Sequence, residues 1–184
     1  NGTGTLTDTK AVTVTVTDVN EAPGITSGST ATVAENAATS TVVYTATATD
    51  VDAGQTLSYS LTGTDAGSFD IDASTGVVTL KASANYESKA SYSFNVVATD
   101  DGTGTLTDTK AVTVTVTDVN EAPTGSLSIT GTVKQGETLS VLDTLADDDG
   151  MTDKAYQWFA NGQLITGANQ STLTLGQDQV GKVI

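Results

Sequence analysis

One block of sequence, "GTGTLTDTKAVTVTVTDVNEAP", occurs twice without a difference, at positions 2–23 and again at 102–123 of the 184-residue chain. Periods of roughly 20–50 residues build solenoids and propellers, whereas an offset of about a hundred is the length of a whole domain with its own core. The block therefore predicts domains strung in tandem. Residues 1–23 are expected to be the closing strand and linker of one unit, 24–123 a complete unit, and 124–184 part of a different one.

The local pattern says what kind of unit it is. Val112, Val114 and Val116 alternate with Thr113, Thr115 and Thr117, the period-two signature of a strand with one face in a core. The runs "TATVAEN", "TVVYTATATD", "TLSYSLTG", "GVVTLKA" and "SYSFNVVATD" are likewise short, rich in Val, Thr and Tyr, and separated by Gly, Asp, Asn or Ser. Residues 24–123 read as seven strands of an antiparallel sandwich, and the fold class is all-β: tandem Greek-key antiparallel β-sandwiches. From residue 124 the character changes. "SLSITGTVKQGETLSVL", "LADDDG" and "KAYQWFANGQLITGANQSTLTL" predict a second sandwich, with Trp158 in its core and an Asn161-Gly162 hairpin turn. That second sandwich is expected to be incomplete in this sequence.

Composition removes several functions. There is no His, no Cys and no Arg, and the net charge is −15. Imidazole- and thiolate-based catalysis, and nitrogen or sulfur sites for zinc, copper or haem, have no ligands to draw on. An acidic surface with few lysines repels phosphate backbones, so nucleic acid is not an expected partner. No apolar run reaches the length of a membrane span. Carboxylates and oxygen-ligated metals remain. Asp70 and Asp72 could be read as an acid–base pair, but nothing convergent surrounds them, and no enzymatic activity is expected. Asp65, Asp70, Asp72, Asp143 and Asp178 read as turn or surface residues.

The order of motifs in residues 24–123 resembles a cadherin repeat of the bacterial type: "VAEN" at 33–36, "ATDVDAG" at 48–54, "FDIDASTGVVTL" at 69–80, "NYE" at 85–87, "VVATDDG" at 96–102 and the closing "DVNEAP". Residues 124–184 resemble the immunoglobulin-like repeats that stand beside such units in large bacterial surface adhesins, through "LADDDG" and "YQWFANGQLITGA". The resemblance implies calcium at the joints between domains. At the first joint it assigns Asp18, Asn20 and Glu21 from the linker and Asp50, Asp52 and Asp100 from the following domain. At the second it assigns Glu35, Asn85, Glu87, Asp118, Asn120 and Glu121, with Asp147 and Asp149 as candidates on the far side. Asn85 stands where many cadherins carry an Asp, keeping an oxygen and losing a charge.

Chemistry supports such a use of these acids, since calcium takes six to eight oxygen ligands and has extracellular sites with dissociation constants on the order of 10⁻⁴–10⁻³ M. The favoured function is a calcium-rigidified extender of a large secreted or cell-surface bacterial adhesin, serving adhesion or biofilm formation outside the cell. Its partners would be adjacent repeats of the same polypeptide, with polysaccharide or another cell surface at the adhesive end. The alternatives are a carbohydrate-binding or homophilic cadherin-like module, and an accessory domain of a secreted hydrolase. A solvated acidic surface is the plain competing reading of the charge. The opening strand at 2–17, lacking a partner in sequence, is expected either to be unstructured or to pair with another chain.

Overall fold

A computed structural model describes residues 3–151 and 153–184. It divides into two compact units, Asn1–Thr117 and Asp118–Ile184. In the first, strands β1 (Gly24–Ile25), β2 (Thr30–Ala34), β3 (Val42–Thr45), β4 (Ala48–Thr49), β5 (Ser58–Thr62), β6 (Phe69–Ile71), β7 (Val77–Leu80), β8 (Ser91–Thr99) and β9 (Thr107–Thr117) follow in order. They form a four-stranded sheet β2-β9-β8-β5, a three-stranded sheet β3-β7-β6 and a small pair β1-β4. The sheets close on a shared core. Val33, Phe94, Val96, Val112, Val114 and Val116 of the larger sheet join one cluster with Val43, Tyr44, Phe69, Val78 and Leu80 of the smaller. Phe94 sits at its centre, 4.8 Å from the Phe69 ring and 6.3 Å from Tyr44 in an edge-to-face contact.

The all-β class is as expected, with nine strands in place of seven because β1 and β4 form a separate two-residue pair, and with one difference in pairing. Strand β2 runs parallel to β9, Val33 facing Val116, while the other strand pairs are antiparallel. Parallel neighbours need a long crossover between them, and here most of the domain supplies it. The alternation of valine and threonine fixes which face of β9 is buried; it carries no information about the direction of the neighbour.

Two side chains on β9 tie down the short strand β1. Asp108 accepts the Ile25 N–H at 2.8 Å, and Lys110 donates to the carbonyls of Ile25 and Ser27 at 3.1 and 2.7 Å. Asp72 caps its own turn, accepting the N–H groups of Ser74 and Thr75 at 2.9 Å, and those two bonds hold its carboxyl below its ordinary value. Gly76 follows with φ 69°, and a side chain there would lie 2.3 Å from the Ala46 carbonyl oxygen, so the turn requires glycine.

The copied block meets two different fates. At 107–117 it is the longest strand of the domain; at 3–23 the same letters form no strand, with Val12, Val14 and Val16 75–90% exposed. Residues 3–17 thus form no strand within this chain, one of the two outcomes expected of a copy without a partner. A strand is a ladder, and the first copy has no ladder beside it. A matched pair of substitutions separates sequence from packing. Val114→Ala is expected to cost roughly 1.5–3 kcal/mol, and Val14→Ala, in identical local sequence, to fall within about 0.5 kcal/mol of zero. Urea unfolding followed by far-ultraviolet circular dichroism measures both.

In the second unit β10 (Leu127–Thr130), β11 (Thr138–Asp143) and β14 (Thr172–Thr174) form one antiparallel sheet, and β12 (Phe159–Ala160) pairs with β13 (Gln163–Leu164). Asn161 and Gly162, both at positive φ, make the tight turn between the last two. Trp158 is 4% exposed, packs with Leu139, Leu173 and Leu175, and donates its indole N–H to the Gln170 carbonyl at 2.9 Å. Asp143 bonds Lys154 at 2.9 Å, accepts from Leu145 N–H and the Tyr156 hydroxyl, and its carboxyl is held below its ordinary value, chiefly by Lys154. Among the described residues no helix is long and apolar enough to cross a membrane.

Candidate metal centre at the linker pole

The first unit brings its own linker onto two acidic loops. Asp50 and Asp52 follow β4, and Asp100 follows β8, so all three stand where strands end, at one pole. Asp52 donates its N–H to Asp50 Oδ1 at 2.9 Å, which turns the loop tightly and leaves the Asp52 carboxylate pointing back at the linker. Its Oδ2 accepts the Glu21 N–H at 2.9 Å. Asp100 is 3% exposed; its Oδ1 accepts from Leu106 N–H at 2.9 Å and Gly102 N–H at 3.3 Å, and its Oδ2 accepts from Asn20 Nδ2 at 2.9 Å. Gln55 Nε2 in turn donates to Asn20 Oδ1. An open cavity of about 550 Å³ lies here, lined by Asp18, Val19, Asn20, Asp52, Gln55, Gly102 and Thr103.

The electrostatics of this pole favour a cation. Partial desolvation, then the Asp52 carboxylate beside it, then Asp18 and Asp50, raise the Glu21 carboxyl above its ordinary 4.5. Ionising Glu21 in the folded chain is therefore a cost. The cost is present above the folded pKa and disappears as pH falls through it. A bound divalent ion reverses that sign, because it favours the ionised form.

The donor set fits calcium rather than a softer metal. Every candidate ligand is oxygen, from carboxylates and side-chain amides, the hard set that calcium takes. Two further oxygens, Asp50 Oδ2 and Gln55 Oε1, are buried and have no hydrogen-bond partner among the described residues. Buried acceptors are nearly always satisfied, so such atoms call for an ion or a water. Gly102 keeps the pole open, since a side chain there would lie 1.8 Å from Asn20 Oδ1 and 2.7 Å from Gln55 Nε2.

The second linker repeats this clasp within its own unit. Glu121 donates its N–H to Asp149 Oδ2 at 2.9 Å, and Asp149 donates its N–H to Asp147 Oδ1 at 3.1 Å, bond for bond the pattern of Glu21, Asp52 and Asp50. Asn120 Nδ2 donates to the Glu121 carbonyl at 3.0 Å, and Asp118 is exposed. At the opposite pole of the first unit Glu35 is 2% exposed and accepts the Tyr86 N–H at 2.9 Å, while Glu87 is exposed. Asn85 Oδ1 accepts the Ser88 N–H at 2.6 Å and its carbonyl accepts the Lys89 N–H at 2.9 Å, capping a turn. Gln55 and Gly102 were invisible as site residues in the sequence. The available signal was a glutamine directly after the Asp-x-Asp-x-Gly turn.

A two-sheet β domain with a parallel β2–β9 pair and acids at its poles defines a class of repeat, and similarity to known proteins gives its family. Residues 29–117 match the family model of the cadherin domain, and this segment is a cadherin domain. The chain is 33% identical over 97% of its length to human protocadherin Fat 1, of which it spans only 4%. In fold it is similar to mouse cadherin-23 EC22-24 (TM-score 0.53, 22% identity, 71% of this chain and 45% of that one) and to human protocadherin-24 EC1-2 (TM-score 0.52, 22% identity, 70% and 62%).

Proposed function

We propose that this chain is a calcium-rigidified extender segment of a large extracellular adhesin, of the bacterial surface type that its sequence motifs resemble. Cadherin domains as a class bind calcium and serve adhesion rather than catalysis. The observation that carries the reading to this chain is the repeated clasp: an acidic Asp-x-Asp loop grips the linker backbone at Glu21, and another does the same at Glu121. Asp18, Asn20, Glu21, Asp50, Asp52 and Asp100 would hold the ion at the first linker, and Glu121, Asp147 and Asp149 would contribute at the second.

The ion would supply positive charge where acids converge. Two carboxylates about 4 Å apart repel by roughly 1 kcal/mol in bulk water and 4 kcal/mol at an effective dielectric of about 20. Without a cation the linker is pushed from the loops that hold it; with one it is drawn to them. Identical copies of the linker make sense in a spacer, where length comes from repetition. On this reading residues 124–184 begin the immunoglobulin-like unit that follows, and the segment stiffens outside the cell, where calcium is abundant.

Thermal unfolding of the chain with calcium and with chelator tests this. In about 10 mM calcium, ten to a hundred times a dissociation constant of order 10⁻³–10⁻⁴ M, the folded state gains about 1.4–2.7 kcal/mol. The melting temperature of the first unit should rise by roughly 5–20 °C. Equal melting in calcium and in chelator would overturn the proposal.

A further inference from the structure

A hydrogen-bonded chain of amides leads from the buried Asp100 to an oxygen that no other described residue uses. A carboxylate only accepts, so Asp100 Oδ2 fixes the orientation of Asn20, whose Nδ2 must face it. Asn20 Oδ1 then faces away and must accept, which fixes Gln55 with its Nε2 toward Asn20. The remaining atom, Gln55 Oε1, is left as an acceptor of set direction, buried and without a partner among the described residues, as is Asp50 Oδ2. Gln55 lines the cavity beside Asp52 and Asn20, and Gly102 leaves the room in which both amides fit.

We propose that Gln55 Oε1 is a direct ligand of the cation at the linker pole, a neutral oxygen added to the acidic set. The inference rests on the calcium reading above and deepens it. The pole already gathers Asp18, Glu21, Asp50 and Asp52, so another carboxylate would raise the repulsion in the metal-free chain. An amide raises the coordination number toward the six to eight oxygens calcium takes, and adds no charge.

Terbium(III), a hard oxygen-seeking ion that occupies calcium sites, is the probe. Its luminescence lifetimes in H₂O and D₂O count the waters on the bound ion, and calcium competition gives affinity. In the full chain Gln55→Met fills the same space without an oxygen; it should add a water to the bound ion and weaken calcium binding roughly tenfold. Gln55→Glu keeps an oxygen in reach and should add no water. Unfolding in chelator verifies that both variants are folded, and Gln55→Ala substitutes for the methionine variant if that one is not. Wild-type chain that binds the ion, with an unchanged water count in Gln55→Met, overturns the ligand role of Gln55 and leaves the calcium reading standing. Wild-type chain that binds neither ion overturns both.

Discussion

Phe94→Ala is expected to remove about 3–5 kcal/mol from the first unit, a large part of the 5–15 kcal/mol that holds a typical domain together. The residue is 1% exposed in the middle of β8, the strand flanked by β9 and β5. Its ring contacts Phe69 from the smaller sheet at 4.8 Å and Tyr44 at 6.3 Å, so it bridges the two layers rather than filling a corner of one. Truncation leaves a cavity that neither sheet can close without breaking its own ladder. Those ladders are long: β8 pairs with β9 from Ser91 opposite Thr115 to Thr99 opposite Thr107. The melting temperature should fall by roughly 12–40 °C. Far-ultraviolet circular dichroism follows this loss, while Trp158 fluorescence reports the core of the other unit. An unchanged transition would mean that the two sheets do not depend on each other.

How much of this was legible in the sequence can be judged from the copied block. The alternation of Val112, Val114 and Val116 predicts a strand with one buried face, and β9 has it, each of the three at most 1% exposed. The same alternation at Val12, Val14 and Val16 has the same local preference, and without a partner in sequence no strand forms, because a β-strand is defined by neighbours that lie far away in sequence. Direction of pairing is hidden for the same reason: nothing in "TATVA" announces a parallel partner eighty residues on. Short motifs fared according to range. The Asp-x-Asp turns at Asp50 and Asp147 were readable because each loop closes on itself, and their matching grip on Glu21 and Glu121 shows why the spacing recurs. Gln55 and Gly102 were not readable. Glutamine after a turn is ordinary on a surface, and only the arrival of Asn20 from the linker gives it a place in the pole.

Asp100→Asn should nearly abolish the calcium response while leaving the metal-free chain folded. The substitution keeps the size of the side chain, and its remaining carbonyl oxygen can still accept the Leu106 N–H that Asp100 Oδ1 now holds at 2.9 Å. What it loses is the charge and the direction of the amide chain. A new amide nitrogen in place of Oδ2 would meet the Asn20 Nδ2 donor, so Asn20 must turn over, and Gln55 with it. Calcium affinity depends on ligand charge and on the partners that aim the ligands, and a loss of ten- to a hundredfold is the usual scale. The calcium-induced gain of roughly 5–20 °C should shrink to a few degrees. Asp100→Ala serves as the contrast. It strands the Leu106 N–H and the Asn20 amide in a buried place, at about 1–3 kcal/mol, so it should melt early in chelator as well as in calcium. The two variants therefore separate a carboxylate that holds an ion from one that merely holds a loop. If Asp100→Asn keeps the full response and Asp100→Ala loses stability equally in both conditions, Asp100 is a structural cap for the β8–β9 turn and the ion sits elsewhere.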